Sequence, residues 1–415
     1  MNAVATSTAW RAGAIFSAFA FNYFLSALLR AVVATLAPEF ALELQLGAAE
    51  LGLLAGAYFL GFACMQLPVG WLLDRYGARR VLLWLLSLAV SGCVGFALAR
   101  SFGQLVVARL LIGMGVSASL MAALTAFVQL FDRPLQLRLN AWMLMSGSLG
   151  MVASTLPVQA LLPTWGWRNL FFAVAAALVA ASALIAAIVP RGQVASGSTR
   201  SALGGYGAIV RHPAFVRCWP LAYFTYGGLI AVQSLWAGPW LTQVVMTDAG
   251  GAARGLFVLN LSMLASFMAW GLLMPRLAAR GIGPEALVTW GWPVGIGVLA
   301  MIIVLGPAAG SAWLALWCVC TSVVTLTQPA IAQAFPRMEA GRALSGLNLL
   351  IFLGVFSCQW GMGLMIDALL AAGWTQLSSH RAAMGLLLMG TLGSGAWYAA
   401  YPKWRSGGRW AAARG

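Results

Sequence analysis

The sequence predicts an all-α polytopic membrane protein, with twelve transmembrane helices in two pseudo-symmetric six-helix halves. Three observations predict it. Only 8% of the 415 residues are charged and 62% are hydrophobic, whereas a soluble domain carries roughly a quarter charged residues. Apolar runs of about 20 residues, enough to cross a bilayer at 1.5 Å rise per residue, recur from end to end. Basic residues fall in every second interval between those runs, and part of the first half recurs 201 residues later.

The runs place helices at 13–37, 48–69, 81–99, 104–130, 139–162 and 169–189 in the first half. In the second half they fall at 218–245, 256–274, 286–305, 311–334, 344–370 and 382–401. Glycine and proline inside these runs suit membrane helices, which they let pack closely or bend. Helix one is too long for a cleaved leader. Between helices six and seven, RGQVASGSTRSALGG is rich in Gly and Ser and has no apolar run, so residues 191–213 read as a linker. The division is therefore 1–190, an N-terminal six-helix half; 191–213, a cytoplasmic linker; 214–405, a C-terminal half; and 406–415, a tail.

With the N-terminus inside, 18 of the 24 Lys and Arg residues lie in inside segments. Arg100, Arg168, Arg254 and Arg381 lie outside, and Arg30 and Arg109 lie within helices. That asymmetry predicts cytoplasmic termini in a bacterial inner membrane. The net charge of +15 thus reports topology and gives no reason to expect nucleic acid. All six cysteines sit in apolar runs and read as small hydrophobes. No catalytic constellation, metal motif or cofactor motif is visible, so no enzyme, metal or cofactor is expected.

The interval between helices two and three reads GWLLDRYGARR. Its pattern G-x-L-x-D-R-x-G-x-R-R, carried by Gly70, Leu72, Asp74, Arg75, Gly77, Arg79 and Arg80, resembles the signature loop of the major facilitator superfamily. The resemblance implies that superfamily's fold and a gating role for this loop, with bonds made in one conformation and broken in another. For Arg79 and Arg80, positive-inside anchoring alone is an equal reading. GLLMPRLAARG repeats the loop at Gly271, Arg276 and Arg280, with Pro275 where the first copy has Asp74; Pro38 and Pro239 match at the same offset. Internal symmetry of this kind marks duplicated transporter halves. Arg109, Gly113 and Gly115 resemble the superfamily's R-x-x-x-G-x-G element, which makes Arg109 a coupling candidate; the alternative is an arginine snorkelling to outer headgroups.

Arg30 lies about 10 Å below the expected outer end of helix one, where a charge is costly unless it meets a cavity or a partner. With Tyr23 and Pro38 it resembles the first helix of the organophosphate:phosphate antiporter branch, in which the arginine binds an anionic head. That branch has a second arginine in helix seven, where this chain has Ala231. The lone guanidinium suits a monoanion, a carboxylate or a zwitterion. A structural ion pair and an outward snorkel are the alternatives. Tyr226, Gln233, Asn260 and Asn348 complete the candidate substrate site, with Trp142 and Trp236 as candidate lining. The expected function is a permease for a small organic anion or zwitterion working by alternating access. A drug or metabolite exporter and a transporter-like sensor are the alternatives. Expected partners are the solute, the bilayer and a coupling proton or counter-substrate, and a monomer is expected.

Overall fold

The computed structural model describes residues 2–190 and 206–407. Most of the linker and residues 408–415 of the tail lie outside the described residues. Among the described residues all regular structure is helical. In chain order the first half holds α1 (Asn2–Leu44), α2 (Ala48–Cys64), α3 (Gln66–Tyr76), α4 (Ala78–Leu98), α5 (Phe102–Val116), α6 (Ser119–Leu130), α7 (Arg133–Ala153) and α8 (Leu156–Ile188). The second holds α9 (Tyr206–Arg211), α10 (Pro213–Pro220), α11 (Gly227–Ala231), α12 (Ala237–Pro239), α13 (Ala249–Ala279), α14 (Pro284–Leu305), α15 (Ser311–Thr321), α16 (Thr327–Ala334), α17 (Arg337–Ala371) and α18 (Gln376–Gly407).

Eight helices among the described residues are long and apolar enough to cross a membrane. The α2–α3 pair, bent by 44°, makes a ninth. The remaining three expected spans are helical but interrupted or diluted. Helix five breaks after α7 and resumes at the start of α8, which itself breaks at Gly166 (φ 67°, ψ 161°) before helix six. Helix seven alternates α10, α11 and α12 with π-helical turns at Leu221–Tyr226, Val232–Trp236 and Trp240–Val244. Helix twelve, α18, is diluted by Gly, Ser, Trp and Tyr. The pattern is consistent with twelve spans. Residues 206–211, expected as linker, form the short helix α9.

Two contacts set the arrangement around the centre. The first is a seam between α2 and α17. A Cβ on Gly52 would overlap the Gln359 carbonyl, and one on Gly363 would overlap that of Ala48, so only glycine lets these backbones approach so closely. The second joins α1 to the helix-seven segments, where a Cβ on Gly238 would stand 2.7 Å from the Ala34 carbonyl oxygen. Both contacts lie toward the distal end of the bundle, away from the loop of Gly70–Arg80. At that distal end Asp367 of α17 accepts the amides of Ala48 (3.0 Å) and Ala49 (2.8 Å) at the start of α2. Glu50 accepts the Gly47 amide at 3.0 Å. An α-helix leaves its first amides unpartnered, and here a carboxylate from another helix supplies the partner.

Candidate functional site

Helix α1 runs on to Leu44 instead of ending near residue 37. Arg30 is therefore about 14 residues, or roughly 21 Å, from the distal helix end, twice the expected depth. Its Cζ stands 5.6 Å from the ring centroid of Phe62 on α2 and 5.9 Å from that of Phe352 on α17. Those two rings are 4.5 Å apart. The hydroxyls of Tyr23, Tyr58 and Tyr226 act on the guanidinium electrostatically, Tyr23 and Tyr58 most directly. Arg30 Nε is buried without a hydrogen-bond partner. The ion pairs Arg168–Glu43 and Arg217–Glu285 do not involve Arg30. At this depth the guanidinium is faced by rings and phenols and, among the described residues, is offered no carboxylate.

The structure thus brings Arg30, Tyr23 and Tyr226 together. It adds three residues that sequence reasoning missed: Tyr58, Phe62 and Phe352. Phe62 is 14 residues from the start of α2, as Arg30 is from the end of α1, but the match in depth shows only once α1 is seen to run on to Leu44. Nothing in the sequence marks Phe352.

The other polar candidates pair with each other. Gln233 Nε2 donates to Asn260 Oδ1 at 2.9 Å, and Gln328 Nε2 donates to Asn348 Oδ1 at 2.9 Å. Gln359 donates to Ser234 Oγ at 3.0 Å and reaches the Ala231 carbonyl at 3.5 Å, while its Oε1 is buried without a partner. Trp236 is buried and donates to the Gln359 carbonyl at 3.2 Å. Trp142 is 51% exposed on the outside of the bundle. Neither tryptophan lies against Arg30.

Arg109 is 0% exposed and does not snorkel. Its Nη1 donates to the Leu29 carbonyl at 2.9 Å, and its Cζ lies 5.0 Å from the Tyr58 ring centroid. Tyr58 donates to the Ser26 carbonyl at 3.2 Å. One phenol therefore stands between the buried Arg109 and the half-buried Arg30.

In the loop Gly70–Arg80, Gly77 takes φ 79° where α3 turns into α4, a conformation that favours glycine. Asp74 is exposed and faces the charge of Arg342 at the start of α17. Arg75 lies 5.5 Å from the Trp71 ring and 5.7 Å from the Tyr76 ring. Arg79 donates to the Val189 carbonyl (3.0 Å) and to that of Ala186, capping α8 inside its own half. Arg80 is exposed. In the second copy, Arg276 donates to Leu272 of its own helix at 3.1 Å, and Arg280 sits at the C-cap of α13. The positive-φ glycine there is Gly281 (φ 77°). The turn therefore comes three residues later than the 201-residue offset requires, because α13 winds on through the segment matching the first loop.

Comparison with known proteins bears on this geometry. Residues 19–357 match the sequence model of the Major Facilitator Superfamily. A sialic acid transporter of Escherichia coli is 26% identical over 25% of this chain and 25% of its own length. A 4-hydroxybenzoate transporter of Pseudomonas putida is 30% identical over 35% of this chain and 33% of its own. A chloramphenicol resistance protein of Streptomyces lividans is 28% identical over 63% of this chain and 67% of its own. The first two alignments thus span a quarter to a third of those relatives. Among solved structures, a bacterial homologue of the human lysosomal transporter Spinster, inward-facing and occupied, superposes with a TM-score of 0.74 at 16% identity, covering 94% of this chain and 96% of that one.

Proposed function

Because the chain belongs to the major facilitator superfamily, we propose that it is a secondary active permease that moves a small organic anion or zwitterion by alternating access. Arg30 binds the anionic head, and Tyr23 and Tyr226 flank it. The observation that carries this reading is the guanidinium of Arg30, held between α2 and α17 with phenols as its polar neighbours and no carboxylate partner among the described residues. Sialic acid and 4-hydroxybenzoate, which the two relatives above are named for, both carry a carboxylate.

In this reading residues 1–190 and 214–405 rock against each other, joined by the linker 191–213, and the tail 406–415 follows. Asp74 latches the proximal end by meeting Arg342, while Gly70, Gly77, Arg75 and Arg80 shape the same gate. Arg276 and Arg280 serve the weaker copy. Arg79, bonded to the end of α8, acts by holding the loop in place. Arg109, next to Tyr58 and one step from Arg30, couples the site to a proton or a counter-substrate. The protein is a monomer in the bacterial inner membrane with both termini cytoplasmic.

The test is counterflow of a labelled organic anion in proteoliposomes. Arg30→Gln abolishes exchange and leaves the protein folded; normal exchange by that variant removes Arg30 from the mechanism. Binding without counterflow would identify a sensor. A second reading, drug or metabolite export, draws on the 271-residue alignment with the chloramphenicol resistance protein. It requires that deletion raise sensitivity to a compound and that Arg30 be dispensable for resistance.

A further inference from the structure

We propose that the solute is an organic monocarboxylate with a flat, apolar body, an aryl carboxylate in its simplest form. This rests on the reading that Arg30 binds an anionic head, and it adds what the rest of the solute must be. Three independent features of the centre lead to it.

The first is charge. One guanidinium serves the site, its counterpart position is Ala231, and Arg109 is turned onto the Leu29 carbonyl behind the Tyr58 ring. A second anionic group on the solute would find no cation. The second feature is shape. Phe62 and Phe352 stand beside the guanidinium, 4.5 Å apart and at 55° to each other. The bodies of Tyr23 and Tyr226 are aromatic as well. A planar π-system whose carboxylate meets Arg30 lies against these rings in edge or offset contact.

The third feature is the state of the neutral polar groups. Gln233 with Asn260, Gln328 with Asn348 and Gln359 with Ser234 are mutual pairs. Thr225 with Ser394 and Tyr223 with Ser357 are too, at 3.0 and 2.6 Å. A polyhydroxylated solute needs a matching set of free donors and acceptors, because each hydroxyl stripped of water without a partner carries a penalty. Those pairs are satisfied within the protein, and the groups left without a partner beside them, the Asn22 amide and the Ser26 hydroxyl on the Arg30 face of α1 and Oε1 of Gln359, are too few for a polyhydroxylated body. A solute with one polar head and an apolar body leaves those pairs intact.

The test is equilibrium binding of radiolabelled benzoate to the purified full-length protein, with three unlabelled competitors: cyclohexanecarboxylate, gluconate and benzamide. Benzoate is expected to bind about 3- to 10-fold tighter than cyclohexanecarboxylate, the range that an aromatic contact adds. Gluconate and benzamide fail to compete. Arg30→Gln removes binding. Phe352→Leu, which leaves the ring of Phe62 in place, weakens benzoate more than cyclohexanecarboxylate and so lowers their ratio, whereas a merely structural role would weaken both equally and leave the ratio alone. If cyclohexanecarboxylate matches benzoate, or gluconate binds tighter through Arg30, the inference is overturned while the organic-anion reading stands. If benzamide competes as well as benzoate, or Arg30→Gln binds normally, the organic-anion reading falls and the inference with it.

Discussion

Removing the carboxylate of Asp367 should loosen the distal seam of the bundle. Asp367, on α17, accepts two amides in the first turn of α2 at 3.0 and 2.8 Å, and thereby joins helices of the two proposed halves. A side-chain cap at a helix N-terminus contributes about 1 kcal/mol, and an anion there gains roughly 0.3–1 kcal/mol from the helix dipole. Asp367→Ala should therefore cost about 1–2 kcal/mol, a shift of roughly 5- to 30-fold in the opening equilibrium. Asp367→Asn keeps an acceptor oxygen but loses the charge, so it should fall between wild type and Ala. Hydrogen–deuterium exchange reads the effect at its source: the amides of Ala48 and Ala49 should exchange roughly 5- to 30-fold faster. A latch between halves also requires faster exchange along the distal seam around Gly52 and Gly363. Unchanged exchange at Ala48 and Ala49 would refute the cap, and a rise confined to those two amides would refute the latch.

Other consequences follow from the packing and pairing. Gly113→Ala puts a methyl into the Tyr58 carbonyl, and overpacking of this kind should cost about 1–3 kcal/mol, seen as a lower Tm. Gly297→Ala, with nothing within 4 Å of the new Cβ, should be neutral or stabilising by about 0.5–1 kcal/mol. Arg79→Ala frees the Ala186 and Val189 carbonyls at the end of α8 and should cost about 1 kcal/mol. Arg79→Lys, which lacks the fork, should recover only part of it on a thermal melt. Gln233→Leu strands Asn260 Oδ1 and should cost about 1–3 kcal/mol, whereas Gln233→Leu with Asn260→Leu should regain most of that in a double-mutant cycle.

Most of the fold was legible because a bilayer demands long apolar helices and the chain has little else. The places where the reading slipped have physical causes. Helix seven reads as one apolar run, but its π-helical turns around Gly227–Ala231 depend on packing that no local pattern encodes. The loop repeat fixes Gly271, Arg276 and Arg280 by letter, yet α13 keeps its helical bonds for longer and moves the turn to Gly281. Arg30 was visible because a charge in an apolar run stands out. Its neighbours Tyr58, Phe62 and Phe352 were not, because in a chain with 20 Phe and 8 Tyr an aromatic residue carries no mark of its surroundings. The amides of Gln233, Asn260 and Asn348 were visible as polar residues, but pairing within the protein and pairing with a solute look alike until the helices are placed.

The central claim, that Arg30 makes this an organic-anion site, is tested most directly by a ligand-dependent thermal melt of the purified protein. Wild type and Arg30→Gln are compared across small carboxylates, amino acids, phosphate esters, neutral amides and amines. At 100 times its Kd a ligand stabilises by about 2.7 kcal/mol, well within reach of the assay. Carboxylates should raise the Tm of the wild type and leave that of Arg30→Gln unchanged. A Tm raised only by neutral or cationic compounds, or raised equally in both proteins by a carboxylate, would contradict the claim.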